Sequence, residues 1–326
     1  MKKFFGRFEI CIALAALSLI VGIGIGILLP VQTPLAPSSD QYENNPSYHF
    51  INPLLSCADA TFSRIQGSQL SALQDKINAY IASEHQKGNL DTASVYFREL
   101  NGGQVMSINP NLQFVPASLL KVPLAMSIYQ QAEQDPGFLD GKVFNVANNA
   151  PASEHYSAPT ISASSTYSVE QLVDSMLINS DNDAALLLTR VISTAALDEA
   201  YSNLGVIVPQ DQEYTMTVAT YAGFFRVLYN ATYLSHGDSE HVLNLLSQST
   251  FNSGIVSGIP SGMTVAHKFG ERGFNDPAIP NQLHDCGIVY AKKPYLVCIM
   301  TQGTDYNTLA GEIGEISKMI YAYAGP

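Results

Sequence analysis

The sequence predicts an α+β fold: an antiparallel five-stranded sheet flanked by helices, an all-helical subdomain over about 140–250, and one N-terminal transmembrane helix ahead of both. Three observations carry this. Strand patterns are confined to stretches toward the two ends of the chain, helical periodicity fills the middle, and one long uncharged apolar run stands at the start. Strands at both ends with helices between imply that the ends meet in one sheet. The helical middle then packs beside it and leaves a cleft where the halves join.

The apolar run, Ile10 to Leu29, is long enough at about 20 helical residues to cross a bilayer core. Lys2, Lys3 and Arg7 precede it and no charge follows until Asp40, so the positive-inside rule makes residues 1–9 a cytoplasmic stub and places the rest outside. A cleaved signal peptide, and so a secreted protein, is the competing reading. The length of the run and the crowding of Pro30, Pro34 and Pro37 at its exit favour an uncleaved anchor over 10–29. Residues 30–50, rich in Pro, Ser, Asn and Gln, read as a linker, and 51–326 as the folded domain.

Leu70, Leu73, Ile77 and Ile81 recur at helical spacing, so a helix over 69–86 opens the domain. Two strands follow, 93–100 and 104–108, joined by the hairpin signal Asn101-Gly102-Gly103. Pro116 and Ala117 lead into a helix from Ser118 to about Ala132. Helical patterns then recur over 169–178, 183–192, 195–204, 218–229 and 240–246. Strands return at 264–270, 285–290 and 295–301, and 309–323 closes the chain as an amphipathic helix.

An apolar content of 46% supports a sizeable core. Acidic residues outnumber basic ones 28 to 16, a net charge of −12, which excludes a nucleic-acid partner because phosphate binding needs clustered Lys and Arg. Of the four cysteines, Cys11 lies in the apolar run and Cys57 stands alone. Cys286 and Cys298 fall on neighbouring predicted strands. Buried thiols are the expected state, and a bridge is permitted by the compartment. The seven histidines show no metal-ligand spacing, and no cofactor is implied.

Ser118 and Lys121 stand three apart at a predicted helix start, on one face and within reach of each other. A serine hydroxyl becomes a nucleophile when a neighbour takes its proton, and an amine does so if burial and nearby positive charge hold it neutral. The helix N-terminus adds an N–H aimed at developing negative charge. This is the only Ser three residues before a Lys among ten lysines, yet such a pair arises readily by chance. Ser180-Asp181-Asn182 follows at the junction of two predicted helices. These are ordinary N-cap residues, and they also suit a proton relay (Ser180) and an amide that holds a substrate amide (Asn182). His267-Lys268-Phe269-Gly270 lies on a late strand. Lys268 there is either a solvated edge residue or a wall of the cleft. Gly270 would let a substrate backbone approach, and the N–H of Glu271 could complete an oxyanion hole with that of Ser118.

In this order the three motifs resemble the S-x-x-K, S-D-N and K-T-G set of the class A β-lactamase and penicillin-binding superfamily, over roughly residues 60–326. FVPASLLKVPLA, MLINSDNDAALLL, AHKFGE and DCGIVYAKKPYLVCIMT support it. The resemblance implies an envelope serine hydrolase that forms an acyl-enzyme at Ser118 on β-lactams or D-Ala-D-Ala cell-wall peptides. Lys121, Ser180 and Lys268 are catalytic in this scheme, and Asn182, Gly270, Glu271 and Tyr156 bind substrate. Tyr156, in HYSAPT, takes the place of an aromatic gatekeeper at the cleft mouth; a loop tyrosine packed on the surface is the alternative.

The chain departs from that pattern at three places. Phe269 stands where the family has Ser or Thr, Cys286-Gly287 where class A enzymes often carry an Arg, and no Glu-x-x-Leu-Asn loop precedes TMTVATYAGFFRVLYN. Glu213 has the form E-x-x-M-T but stands too close to that predicted helix to match the family's deacylation base. Acylation is therefore expected, with slow release by water. A catalytically weak envelope-binding module and an esterase on the same fold remain the alternatives.

Overall fold

The computed structural model describes residues 48–52, 67–101, 103–146, 155–157, 159–206, 213–274 and 278–325. The predicted anchor at 10–29, most of the linker, Cys11, Cys57 and the turn residue Gly102 lie outside the described residues. Among those described, no helix is long and apolar enough to cross a membrane.

Helix α1 (Gly67–Lys87) leads into strands β1 (Thr92–Glu99) and β2 (Val105–Ile108). After a 3-10 turn (Ala117–Leu120) come α2 (Lys121–Gln134), the short strands β3 (Lys142–Asn145) and β4 (Ser165–Ser168), and helices α3 (Val169–Ile178), α4 (Asn182–Val191), α5 (Thr194–Asn203), α6 (Val218–Tyr229) and α7 (His236–Leu246). A second 3-10 turn (Ile255–Gly258) precedes β5 (Val265–Arg272), β6 (Asn281–Val289), β7 (Tyr295–Gly303) and the closing α8 (Tyr306–Ala324).

The first two strands and the last three form one antiparallel sheet in the order β2-β1-β7-β6-β5, so the chain ends meet as the sequence predicts. Strand alternation assigns the sheet's side chains to two cores. Leu296, Cys298 and Met300 of β7 join Cys286 and Ile288 in the core shared with the helices α2–α7. Val297 and Ile299 join Val95, Phe97 and Leu283 in the core shared with α1 and α8. Apolar burial on both faces explains why β7 reads as an unbroken apolar run. Helix starts follow their caps: Ser168 forms a capping box with Gln171, and Asp181, Thr217 and Ser235 accept from the third residue onward.

Several elements differ from the sequence reading, each for a physical reason. The ribbon β3–β4 is absent from it, because four-residue strands are too short to show a period. Helix α7 begins four residues early, at the Ser235 cap. Strand β6 begins at Asn281 because Gln282 and His284 spend polar side chains on a neighbouring segment and so break the apolar pattern. The expected helix from Ser118 starts instead at Lys121, preceded by the 3-10 turn with Ala117 at φ 48°.

Docking of the chain onto the domain begins before residue 51. Glu240 accepts from the backbone N–H groups of His49, Phe50 and Ile51, Asn52 donates to the Tyr229 carbonyl, and Phe50 packs edge-on against Tyr290. This strap straddles α6 and α7.

The expectation of free thiols is corrected: Cys286 and Cys298 are joined in a disulfide, and they are direct partners in the β6–β7 register. The bridge closes a loop across 12 residues. Replacing both cysteines by Ala is expected to lower stability by about 2–3 kcal/mol, the entropy returned to the unfolded chain, measured as a lower midpoint of chemical denaturation.

Candidate active site

The site is assembled from three segments: the 115–121 turn, the α3–α4 junction and strand β5. The turn is held from below by β6, where His284 Nε2 donates to the Val115 carbonyl at 3.1 Å and Gln282 Oε1 accepts from the Val115 N–H at 2.9 Å. Against its other side lies Gly270, where an added Cβ would stand 2.5 Å from the Pro116 carbonyl oxygen and 3.1 Å from the Leu119 nitrogen. The glycine thus admits the chain's own turn where the sequence suggested a substrate backbone. Ser118, on that turn, is buried but lines a cavity of about 1110 Å³ together with Lys121 and Asn182.

Lys121 turns its ammonium toward the α3–α4 junction. It donates to the Ser180 carbonyl, to Ser180 Oγ at 3.1 Å and to Asn182 Oδ1 at 2.6 Å. Lys268 approaches the same hydroxyl from β5, donating to Ser180 Oγ at 2.8 Å. Ser180 itself has φ 57°, a left-handed conformation that lifts its side chain out of the helix path. Asp181, fully buried, caps α4 through the Ala184 N–H at 3.0 Å and accepts from the N–H groups of Thr160 and Ile161 with its other oxygen. The triplet therefore does both things its residues suggest: it opens a helix and it faces both lysines.

Lys268 is no solvated edge residue. It has no exposure; its ammonium also donates to the Phe269 carbonyl at 3.1 Å and lies 4.2 Å from the centre of the Phe269 ring. Phe269 packs on Phe251, ring centres 4.4 Å apart, and is absent from the cavity lining.

Glu271 does line the cavity, and its carboxylate has a task the sequence did not reveal: it accepts from the consecutive N–H groups of His155, Tyr156 and Ser157 at 3.0–3.1 Å. Tyr156 is held by this cradle outside the lining of the cavity. Its ring faces Phe251 at 4.8 Å and its hydroxyl donates to Asn307 Oδ1 at 3.1 Å. Burial, then the charges of Glu271 and Asp305, push that hydroxyl's pKa up.

Two further residues of the lining escaped the sequence reading as a pair. Glu213 Oε1 and Arg272 Nη2 are 2.7 Å apart, Arg272 being the last residue of β5. An arginine thus reaches the cavity from β5 although the strand after it has none at the matching place. Among the described residues no cluster of His, Cys, Asp and Glu could hold a metal ion. His267 instead binds Asp285 at 2.8 Å, whose second oxygen accepts from the Ile255 N–H.

A five-stranded antiparallel sheet, a helical half and two lysines meeting at one serine hydroxyl compose the fold of the β-lactamase-like serine hydrolases. The chain belongs to the β-lactamase enzyme family, whose profile matches residues 72–324. Solved structures agree. The TLA-1 extended-spectrum β-lactamase superposes with a TM-score of 0.67 at 18% identity, covering 78% of this chain and 98% of its own. A β-lactamase from Chitinophaga pinensis DSM 2588 gives 0.67 at 19%, covering 77% and 98%. PBP-A gives 0.64 at 21%, covering 78% and 96%. A PBP-A variant has been seen as an acyl-enzyme complex with penicillin G. No curated protein matches the chain.

Two predictions test the support of the turn. Gly270→Ala is expected to cost about 1–3 kcal/mol, since Pro116 and Leu119 must move, and an unchanged denaturation midpoint would show that strand and turn can part freely. Burial pushes the pKa of His284 from 6.5 down to about 4. The unfolded chain therefore takes up a proton that the fold refuses. Stability is complete above about 6.5 and falls, by roughly 3 kcal/mol at most, as the pH drops through about 4. His284→Gln, which retains a donor for Val115, should flatten the denaturation midpoint between pH 7 and pH 4.

Proposed function

We propose that the chain is a serine acyl-transfer hydrolase of the cell envelope acting on β-lactams or D-Ala-D-Ala peptides. The observation that carries this is the convergence of Lys121 and Lys268 on Ser180 Oγ, with Lys121 lining the same cavity as Ser118. Like charges close together in a buried site disfavour each other, the condition under which an amine serves as a base. Ser118 Oγ attacks the amide carbonyl carbon and Lys121 Nζ takes its proton. The C–N bond breaks, and the leaving nitrogen receives a proton through the Ser180 hydroxyl, with Lys268 holding that hydroxyl in place. Asn182, whose oxygen is committed to Lys121, offers its N–H groups to the substrate amide. The N–H groups of Ser118 and Glu271 receive the developing oxyanion, and Gly270 allows the turn and strand to come that close. Tyr156 acts by shaping the rim through the Glu271 cradle.

Release of the acyl group is the weak step. No Glu-x-x-Leu-Asn loop precedes α6; the stretch of that form at Glu240–Asn244 lies within α7, where Glu240 is taken up by the backbone of His49–Ile51, and Glu213 is engaged by Arg272. This favours penicillin-binding or peptidase activity over rapid antibiotic breakdown. In this reading residues 10–29 anchor the 51–326 domain outside the membrane, a cleaved signal and secretion being the alternative. A catalytically weak binding module on the same fold is the second reading, favoured by the sealing of Lys268 beneath Phe269.

Incubation with a fluorescent penicillin decides between them. A covalent adduct is expected on the protein and none on Ser118→Ala. Lys121→Ala should slow adduct formation by about 10²–10⁴-fold, the usual share of a general base. The adduct should persist after excess probe is removed. Absence of labelling at saturating probe would sink the enzyme.

A further inference from the structure

Building on the acyl-transfer reading, we infer that Arg272 is the anion-recognising residue of the cavity and that Glu213 is its internal competitor, which a ligand carboxylate displaces. The cations near the site differ sharply in access. Lys268 is fully buried and absent from the cavity lining. Lys121 lines the cavity, but it too is buried and spends its ammonium on Ser180 and Asn182. Arg272 lines the same cavity with a side chain 44% exposed, and it is the one cation of the described lining that an entering ligand meets in water.

The guanidinium is already shaped for a carboxylate. It lies 5.0 Å over the Phe274 ring, which braces its plane, and one nitrogen, Nη2, holds Glu213 Oε1 at 2.7 Å. A guanidinium presents five N–H donors in a rigid fork that fits a carboxylate through two parallel bonds. Glu213 is itself 45% exposed, and a pair so exposed is held by no more than about fivefold over its open state. A ligand carboxylate therefore displaces Glu213 at small cost, and Glu213 returns to water. The other carboxylate of the lining, Glu271, is committed to three backbone N–H groups and takes no part. Phe269 offers no polar group and stays outside the lining, whereas Arg272, at the end of the same strand, brings a charge into it. The preferred acyl donor thus bears a free carboxylate; a neutral ester of the same acyl group is the poorer ligand.

The test compares benzylpenicillin with its methyl ester, by the rate of acyl adduct formation in intact-protein mass spectrometry. The acid-to-ester ratio of rates should fall tenfold or more in Arg272→Ala and in Arg272→Gln, whose shorter stem still covers Phe274. In Glu213→Gln the ratio should rise about two- to fivefold. Melting temperatures check that each variant is folded. Calorimetric binding of the acid to the Ser118→Ala protein, with and without Arg272→Gln, separates recognition from chemistry. A protein that is never acylated but loses affinity for the acid tenfold without Arg272 fails the acyl-transfer reading and keeps this one. A protein acylated with the same acid-to-ester ratio whether or not Arg272 is present keeps that reading and overturns this one. So does a ratio that falls in Glu213→Gln.

Discussion

Two ammonium groups meet one hydroxyl oxygen at Ser180, and the site is arranged around the need to satisfy them. Lys121 and Lys268 are both buried, where an unpaired charge costs far more than a surface ion pair returns. Their ammonium groups donate to oxygens of Ser180, Asn182 and Phe269.

Three carboxylates near the site are spent largely on backbone. Asp181 and Glu271 grip Thr160 and Ile161 on one side and His155, Tyr156 and Ser157 on the other, while Asp285 holds His267 and Ile255. Backbone N–H groups hydrogen-bonded to charged acceptors are among the stronger tethers in a fold. The segments around the cavity are thereby fixed by residues that belong to the strands and helices facing them. Polar side chains that disturb the strand pattern, Gln282 and His284 above all, prove to be the ones that hold the turn carrying Ser118.

Most of the fold was legible because its elements are long and periodic. Helices α3 and α6 begin and end where their apolar spacing and caps place them, and β7 announces itself as an apolar run. What could not be read depends on contacts between distant segments. Nothing local marks Glu271 as the acceptor for residues more than a hundred positions away, or Glu213 as the partner of Arg272 across the cavity. The motif residues Ser118, Lys121, Ser180 and Lys268 were found by order and type; the structure joins both lysines at Ser180 and sets Lys121 in one cavity lining with Ser118. Gly270 stood out as a place of close approach, and the neighbour that the structure shows there is the chain's own turn at Pro116 and Leu119, since a glycine records that something comes close without recording what. The disulfide was taken for buried thiols because two facing cysteines read alike in either redox state.

The strap at His49–Ile51 has a mechanical consequence. Three backbone N–H groups converge on Glu240, and Tyr290 donates to the Phe50 carbonyl. A pull transmitted along the chain from before Tyr48 is thus borne at this clasp, where several hydrogen bonds must give way together, before it reaches α1 or the first strand. The load enters through α7 and the turn after β6, on the opposite side of the sheet sequence from the first residues of the fold. Force from that direction therefore meets Glu240 of α7 and Tyr290 beside β6 before it meets the hairpin β1–β2.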